Sequence, residues 1–275
     1  IGVRLVGSEM CIRDRFITIL LSACAIDATK KKNLEETKLI SSISDKYVGI
    51  ELKNSYQWLG IPYAEPPQGS LRWKAPRALS KQKEKVKAFK VSDACPQVPS
   101  ISLDRGGSGE YTGSEDCLYL NIFTPKKISS DKKLPVMFWI HGGGNTSGEA
   151  ASYDFSKLAS AHDLVIVSIN YRLGFLGWFY HPAFAATSNN LEDKSGNFGT
   201  LDQIMALKWV KQNIEDFGGD KNNVTIFGES AGGHNVFALL SSPLAKGLFH
   251  KAISQSGATN TFDLEEASKF FDNKE

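Results

Sequence analysis

No apolar run in this sequence approaches the roughly 18 residues that a helix needs to cross a bilayer. Charge of one sign is equally scarce. Lys and Arg number 32 against 30 Asp and Glu, a net +2, too mild a balance to argue for nucleic acid as a partner. The basic residues are interleaved with acids, as where Glu84 sits among the lysines of residues 81–90, and such a pattern reads as a solvated face. No internal repeat is visible. Cysteine is sparse, with four in all. What remains is ordinary: 41% hydrophobic and 23% charged residues over 275 positions suit one large globular domain or two small ones.

The N-terminal region separates from the rest. Residues 16–24 form a short apolar run that ends in small residues and Cys24. It resembles the end of a bacterial lipoprotein signal, with Leu21-Ser22-Ala23-Cys24 in place of the lipobox. That resemblance implies cleavage before Cys24, lipidation of its thiol, and export to the periplasm or outer membrane. The competing reading is a buried strand with a free cysteine, but a polar, Lys-rich stretch (residues 29–37) follows at once. Residues 16–23 are therefore read as a partial signal and 24–40 as a tether. Residues 1–15 fit neither role. The stretch 6–15 resembles a translated sequencing-adaptor scar, so it is excluded from fold reasoning along with Cys11. Cys95 and Cys117 remain. In an oxidising compartment they would close a loop worth about 3 kcal/mol; in a reducing one they would be two free thiols.

From residue 41 the pattern is that of an α/β domain. Residues 47–52 alternate, an Asn54-Ser55 turn follows, and residues 56–61 complete an expected hairpin. A strand is expected over 118–124. Continuous apolar runs at 136–140, 164–169 and 224–227 read as strands covered on both faces, with a short fourth candidate at 252–254. Between the second and third of these, Leu201, Ile204, Leu207, Val210, Ile214 and Phe217 recur at helical spacing. Thr200 and Gln203 fit a capping box, and Gly218-Gly219 a stop. Strands alternating with helices predict a mostly parallel central sheet with helices packed on it.

Two glycine-framed segments carry the chemistry. Gly228-Glu229-Ser230-Ala231-Gly232 follows an expected strand and leads into helix-compatible residues. Such a corner holds a serine out at the end of a sheet, with a helix N-terminus beside it. Upstream, His141-Gly142-Gly143-Gly144 also follows an expected strand and offers backbone N–H groups that no side chain obstructs. An acyl-transfer intermediate needs such donors within about 2.7–3.1 Å of its oxyanion. A Gly-x-Ser-x-Gly pattern alone is weak, with about 0.2 chance matches at this composition, and the glycine run alone can be a plain tight turn. Their pairing is far more specific.

These residues resemble the type-B carboxylesterase family of the α/β-hydrolase fold. Residues 217–232 fit its serine signature, residues 115–125 its second signature, and Leu59 to Ala64 and Asn170-Tyr171-Arg172 are also typical. The resemblance spans about residues 45–260. It implies that Ser230 is the nucleophile and that Gly143, Gly144 and the N–H of Ala231 form the oxyanion hole. Glu229 would sit beside the substrate, or else be a solvent-facing acid at a helix start. Ser256 would support the catalytic acid from behind, or simply end a strand. Cys95 and Cys117 match the family's first disulfide. No metal or organic cofactor is implied, and the expected partner is a small-molecule carboxylic ester, with membrane contact only through a lipid at Cys24.

The departures are as informative. Family members are about twice as long, and their catalytic acid and histidine lie beyond this sequence. The C-terminal half of the domain is thus expected to be missing, and the fragment alone to be inactive. His234 and His250 lie too close to Ser230 along the chain to serve easily as its base. Between Cys95 and Cys117 only Tyr111 is aromatic, so the tryptophan with which cholinesterases hold choline is not evident. Asn145 stands where many relatives carry an aromatic pocket wall. A general carboxylic ester hydrolase is the main reading. The alternatives are a lipase or other acyl hydrolase, and a non-catalytic cell-surface binding module on the same fold.

Overall fold

The computed structural model describes residues 39–41, 47–79, 85–98, 111–126 and 132–259. The adaptor-like segment 1–15, the signal 16–23, Cys24 and most of the tether lie outside these residues. The last two tether positions, Leu39 and Ile40, already belong to a strand.

Among the described residues, nine strands form one sheet: β1 (Leu39–Ser41), β2 (Tyr47–Glu51), β3 (Ser55–Pro62), β4 (Val86–Lys87), β5 (Tyr119–Pro125), β6 (Leu134–Ile140), β7 (Val165–Ile169), β8 (Gly219–Glu229) and β9 (Lys251–Gln255). Their order is β1-β2-β3-β5-β7-β6-β8-β9, with β4 beside β2. The sheet is mixed. Pairing is antiparallel from β1 to β7 along this order and parallel from β7 to β9. Each expected strand is present, but β8 runs from Gly219 to Glu229, well beyond the apolar run that announces it.

Alternation along the strands sorts side chains to two faces. Leu134, Val136, Phe138 and Ile140 of β6 join Val224 and Ile226 of β8 in the larger core. Trp139, Phe227, Ile166 and Phe123 point the other way into a smaller aromatic cluster. There the Trp139 and Phe227 rings lie 4.8 Å apart. The helices are α1 (Ser156–His162), α2 (Gly174–Gly177), α3 (Pro182–Ala186), α4 (Phe198–Asn213) and α5 (Ala231–Ser241), of which α1, α4 and α5 pack against the sheet. Cys95 and Cys117 form a disulfide and are both buried.

The expected capping box on α4 is not formed. The helix starts at Phe198, two residues before Thr200, and its cap position Asn197 makes no side-chain cap bond. Asn197 is bridged to Trp178, and its carbonyl accepts the Leu201 N–H at 3.0 Å, so the first turn closes earlier. Gln203 is turned wholly inward. Nor is the buried surface of α4 a single stripe, since Asp202 and Gln203 are buried with the apolar residues. The helix ends at Asn213, and a 3-10 turn continues to Phe217 before Gly218 stops it in the left-handed region (φ 82°).

Asp202 can be buried because it is paired. Its carboxylate accepts from the Arg172 backbone N–H (3.0 Å), Nε (2.8 Å) and Nη2 (2.6 Å), and so ties α4 to the loop after β7. Asp202→Ala leaves the Arg172 charge buried without its partner, and a loss of about 3–5 kcal/mol is expected in urea unfolding. Breaking the exposed Lys221–Glu215 pair should cost about 1 kcal/mol or less. At the β9 end of the sheet order, Ile253 is 46% exposed, and Leu240 (53%) and Leu244 (46%) are exposed as well. Residues 16–275 expressed alone are therefore expected to be poorly soluble; a sharp, reversible thermal transition from a monomer would contradict this.

Candidate active site

Register brings the two glycine segments together. Ile140 of β6 pairs with Ile169 of β7 on one side and Gly228 of β8 on the other, and Gly228 pairs with Ser254 of β9. His141 and Asn170 therefore leave the sheet at the level where Glu229 and Gln255 make the last pair of β8 and β9. All leave from the carboxyl ends of parallel strands. The chain after β6 crosses to β7, whereas the chain after β8 crosses to β9, so the crevice between β6 and β8 is a topological switch point. Ligands of open α/β sheets bind at such crevices.

Ser230 sits there, half-buried, between β8 and α5. Its backbone is in the left-handed region (φ 54°, ψ −120°), which costs a non-glycine residue about 1–3 kcal/mol and persists only where neighbours enforce it. The enforcement is visible. The Ser230 N–H donates to the Gln255 carbonyl at 2.9 Å, and its carbonyl accepts the His234 N–H at 3.0 Å. The glycines around it are required by contact: a Cβ on Gly232 would collide with the Ile140 carbonyl oxygen, and one on Gly228 would lie 2.5 Å from the Gly232 backbone. Ala231 opens α5, in whose first turn the N–H groups lack intrahelical acceptors.

The glycine loop lies against this corner. A Cβ built on Gly142 would be 3.3 Å from the Ser230 Cβ and 3.1 Å from a Glu229 carboxylate oxygen. Gly143 and Gly144 are exposed and left-handed (φ 105° and 63°). Both neighbouring carbonyls are engaged elsewhere. That of Gly142 accepts from His141 Nδ1 at 2.8 Å. That of Gly143 accepts the N–H groups of Thr146 and Ser147, each at 3.0 Å, and both their hydroxyls at 3.2 Å.

His141 itself is a core residue. It is buried, stacks on Tyr171 with ring centroids 4.3 Å apart, and lends its carbonyl to the Tyr171 hydroxyl at 2.6 Å. Burial pushes its pKa down to about 4, opposed only by its bond to the Gly142 carbonyl. It is therefore neutral, with the proton on Nδ1, where the carbonyl acceptor requires it. Glu229 is exposed, and its negative charge adds to burial in raising the pKa of the Tyr153 hydroxyl.

The remaining sequence candidates fall as follows. Ser256 is exposed, directly after β9, and left-handed (φ 55°); its structural neighbour Gln255 is the residue that holds Ser230. Neither discounted histidine approaches the Ser230 hydroxyl as a partner. His234 Nδ1 bonds the Ser230 carbonyl at 2.8 Å. His250 is anchored to Val224 of β8, its Nδ1 accepting that residue's N–H at 3.1 Å, which is about 20 Å of strand from Ser230. Among the described residues, the Ser230 hydroxyl has no hydrogen-bond partner. Sequence reasoning noted Asn170-Tyr171-Arg172 as typical of the family without giving Tyr171 a role, and missed Thr146, Ser147 and Asn235 as supports of the site; for these three, only the adjacency of Thr146 and Ser147 to the glycine run is a signal.

Residues 38–271 match the family model described as the carboxylesterase family. The para-nitrobenzyl esterase of Bacillus subtilis (strain 168) is 44% identical over 233 residues, which are 84% of this chain and 46% of that protein. The liver carboxylesterase of Sus scrofa is 45% identical over 228 residues, 80% of this chain and 39% of that protein. Among solved structures, a PNB esterase superposes with a TM-score of 0.74 at 43% identity, covering 85% of this chain and 47% of the other. The chain spans about half the length of the relatives it matches, or somewhat less. With the fold, both glycine-framed corners and these likenesses in agreement, the chain belongs to the carboxylesterase family.

Proposed function

We propose that this chain is the N-terminal part of a carboxylic ester hydrolase in which Ser230 is the nucleophile. The observation that carries the reading is the enforced left-handed corner at Ser230, packed against the glycine loop. A strained serine beside open backbone donors has a use in acyl transfer and none in packing.

The reaction runs as follows. Ser230 Oγ attacks the ester carbonyl carbon while its proton passes to a base, and the carbonyl oxygen becomes an oxyanion. The intermediate collapses, releasing the alcohol and leaving an acyl-serine, which water then hydrolyses to the acid. The oxyanion is received by the N–H groups of Gly143, Gly144 and Ala231. In a trans peptide, a carbonyl and the following N–H point in opposite directions. The carbonyls of Gly142 and Gly143 are held by His141, Thr146 and Ser147, which turns the N–H groups of Gly143 and Gly144 to the opposite side. Glu229 contributes negative charge at the rim, and Ser256 stands behind the corner as a support for the catalytic acid. The base is not among the described residues. The chain's coverage of its relatives supports placing the acid and the histidine in the other half of the domain, and the isolated fragment is accordingly inactive.

In the protein carrying both halves, a serine-directed phosphonate is expected to label Ser230 and stop turnover. Ser230→Ala should lower kcat by about four to six orders of magnitude. Labelling at another residue, or turnover retained in Ser230→Ala, removes the proposal.

The loop also has a pH limit. His141 binds a proton near 6.5 when unfolded but only near 4 when folded. Between these values the unfolded state holds more protons, so stability rises with pH. The contribution of neutral His141 is complete above pH 6.5 and is lost as pH falls towards 4, roughly 3 kcal/mol in all. Urea midpoints measured from pH 7.5 down to 4 should show this decline, and His141→Gln should flatten it.

A further inference from the structure

Asn145 follows the glycine run and makes a contact that neither corner needs for its own local structure. Its side-chain Oδ1 accepts a hydrogen bond from Asn235 Nδ2 at 2.9 Å, across 90 residues of sequence. Asn145 is itself left-handed (φ 57°), a conformation that asparagine tolerates better than other side chains. Its backbone carbonyl accepts the Gly174 N–H at 2.7 Å. One residue thus joins three strand-end segments: the loop after β6, the start of α2 after β7, and α5 after β8.

The position of Asn235 gives this bond its meaning. It lies four residues beyond Ala231 on α5 and so sits one turn along the same helical face. It is buried, and its amide also bonds the Tyr171 side chain, whose hydroxyl in turn holds the His141 carbonyl. Two of the proposed donors, Gly143 and Gly144, belong to the loop that ends in Asn145. The third, Ala231, belongs to the helix that carries Asn235. No covalent path shorter than the whole β7–α4–β8 segment connects the two groups.

Resting on the reading of Ser230 and its oxyanion hole given above, we infer that the Asn145–Asn235 amide pair is a positioning device that fixes the distance between the glycine-loop donors and the Ala231 donor. The pair touches neither the ester nor Ser230. It acts through the backbone on either side. A donor displaced by about 1 Å can cost on the order of a hundredfold in rate, so a single hydrogen bond here has leverage on turnover out of proportion to its share of stability. The oxyanion forms only during the reaction, so loosening the pair weakens transition-state binding and leaves ground-state binding of the ester intact.

The test uses the protein carrying both halves and four variants. Asn145→Gly removes the side chain while keeping the left-handed backbone free of strain. Asn235→Ala removes the donor from the other side and leaves the loop sequence untouched. Their combination completes a cycle, and Asn145→Asp retains the acceptor. For a short-chain nitrophenyl ester, each single removal is expected to lower kcat by about tenfold to a hundredfold with KM within about twofold. The double variant should be no worse than the poorer single one. Asn145→Asp should recover most of the rate. Affinity for a trifluoromethyl ketone, whose adduct carries an oxyanion, should fall in step with kcat. Unchanged kcat in both single variants, additive losses in the double one, or losses confined to KM or to thermal stability would each overturn the inference while leaving the role of Ser230 standing. Turnover retained in Ser230→Ala would instead remove the reading on which it rests.

Discussion

The arrangement depends on backbone meeting backbone at the carboxyl ends of β6 and β8. Ser230 can stand at its corner only because α5 begins in direct contact with the end of β6, where a side chain on Gly232 would run into the Ile140 carbonyl. That approach sets the height of the serine above the sheet and brings it beside Gly142. Everything else in the site follows from two parallel strands in register being turned away from the sheet at the same level.

Around this contact the protein spends its buried polar groups on loops. The Arg172–Asp202 pair, the Asn170 side chain accepting the Ala150 N–H at 2.7 Å, the Tyr171 hydroxyl on His141 and the Asn145–Asn235 bond all act on segments that leave the strand ends. The apolar clusters below give the sheet its stability but carry little information about loop shape. Buried hydrogen bonds are directional and expensive to leave unmade, so they suit the task of holding irregular backbone in one conformation. Glycine supplies the access, and these side chains supply the rigidity that glycine lacks.

The central strands were legible because a strand covered on both faces is a continuous apolar run, as at 136–140. The two corners were legible because glycine spacing there answers a steric demand. Other features left no comparable trace. The Thr200–Gln203 spacing imitates a capping box, yet Gln203 is buried and the helix starts earlier, because tertiary contact at Trp178 decides where the first turn closes. The polar flanks of β8 conceal a strand of 11 residues, since its outer half is held by β6 alone, through the Leu134–Gly219 pair and across a register shift. Two asparagines 90 positions apart have no pattern at all until the fold brings them together. In the same way, Gln255 holds Ser230 through its carbonyl, an atom that every residue type possesses.

That last bond has a consequence for the order of events during synthesis. The acceptor for the Ser230 N–H lies at the end of β9, 25 residues after the serine. A nascent chain that has emerged only as far as α5 therefore has the corner's glycines but not the atom that pins its strained amide. The strained corner is therefore pinned late, only once β9 has docked beside β8.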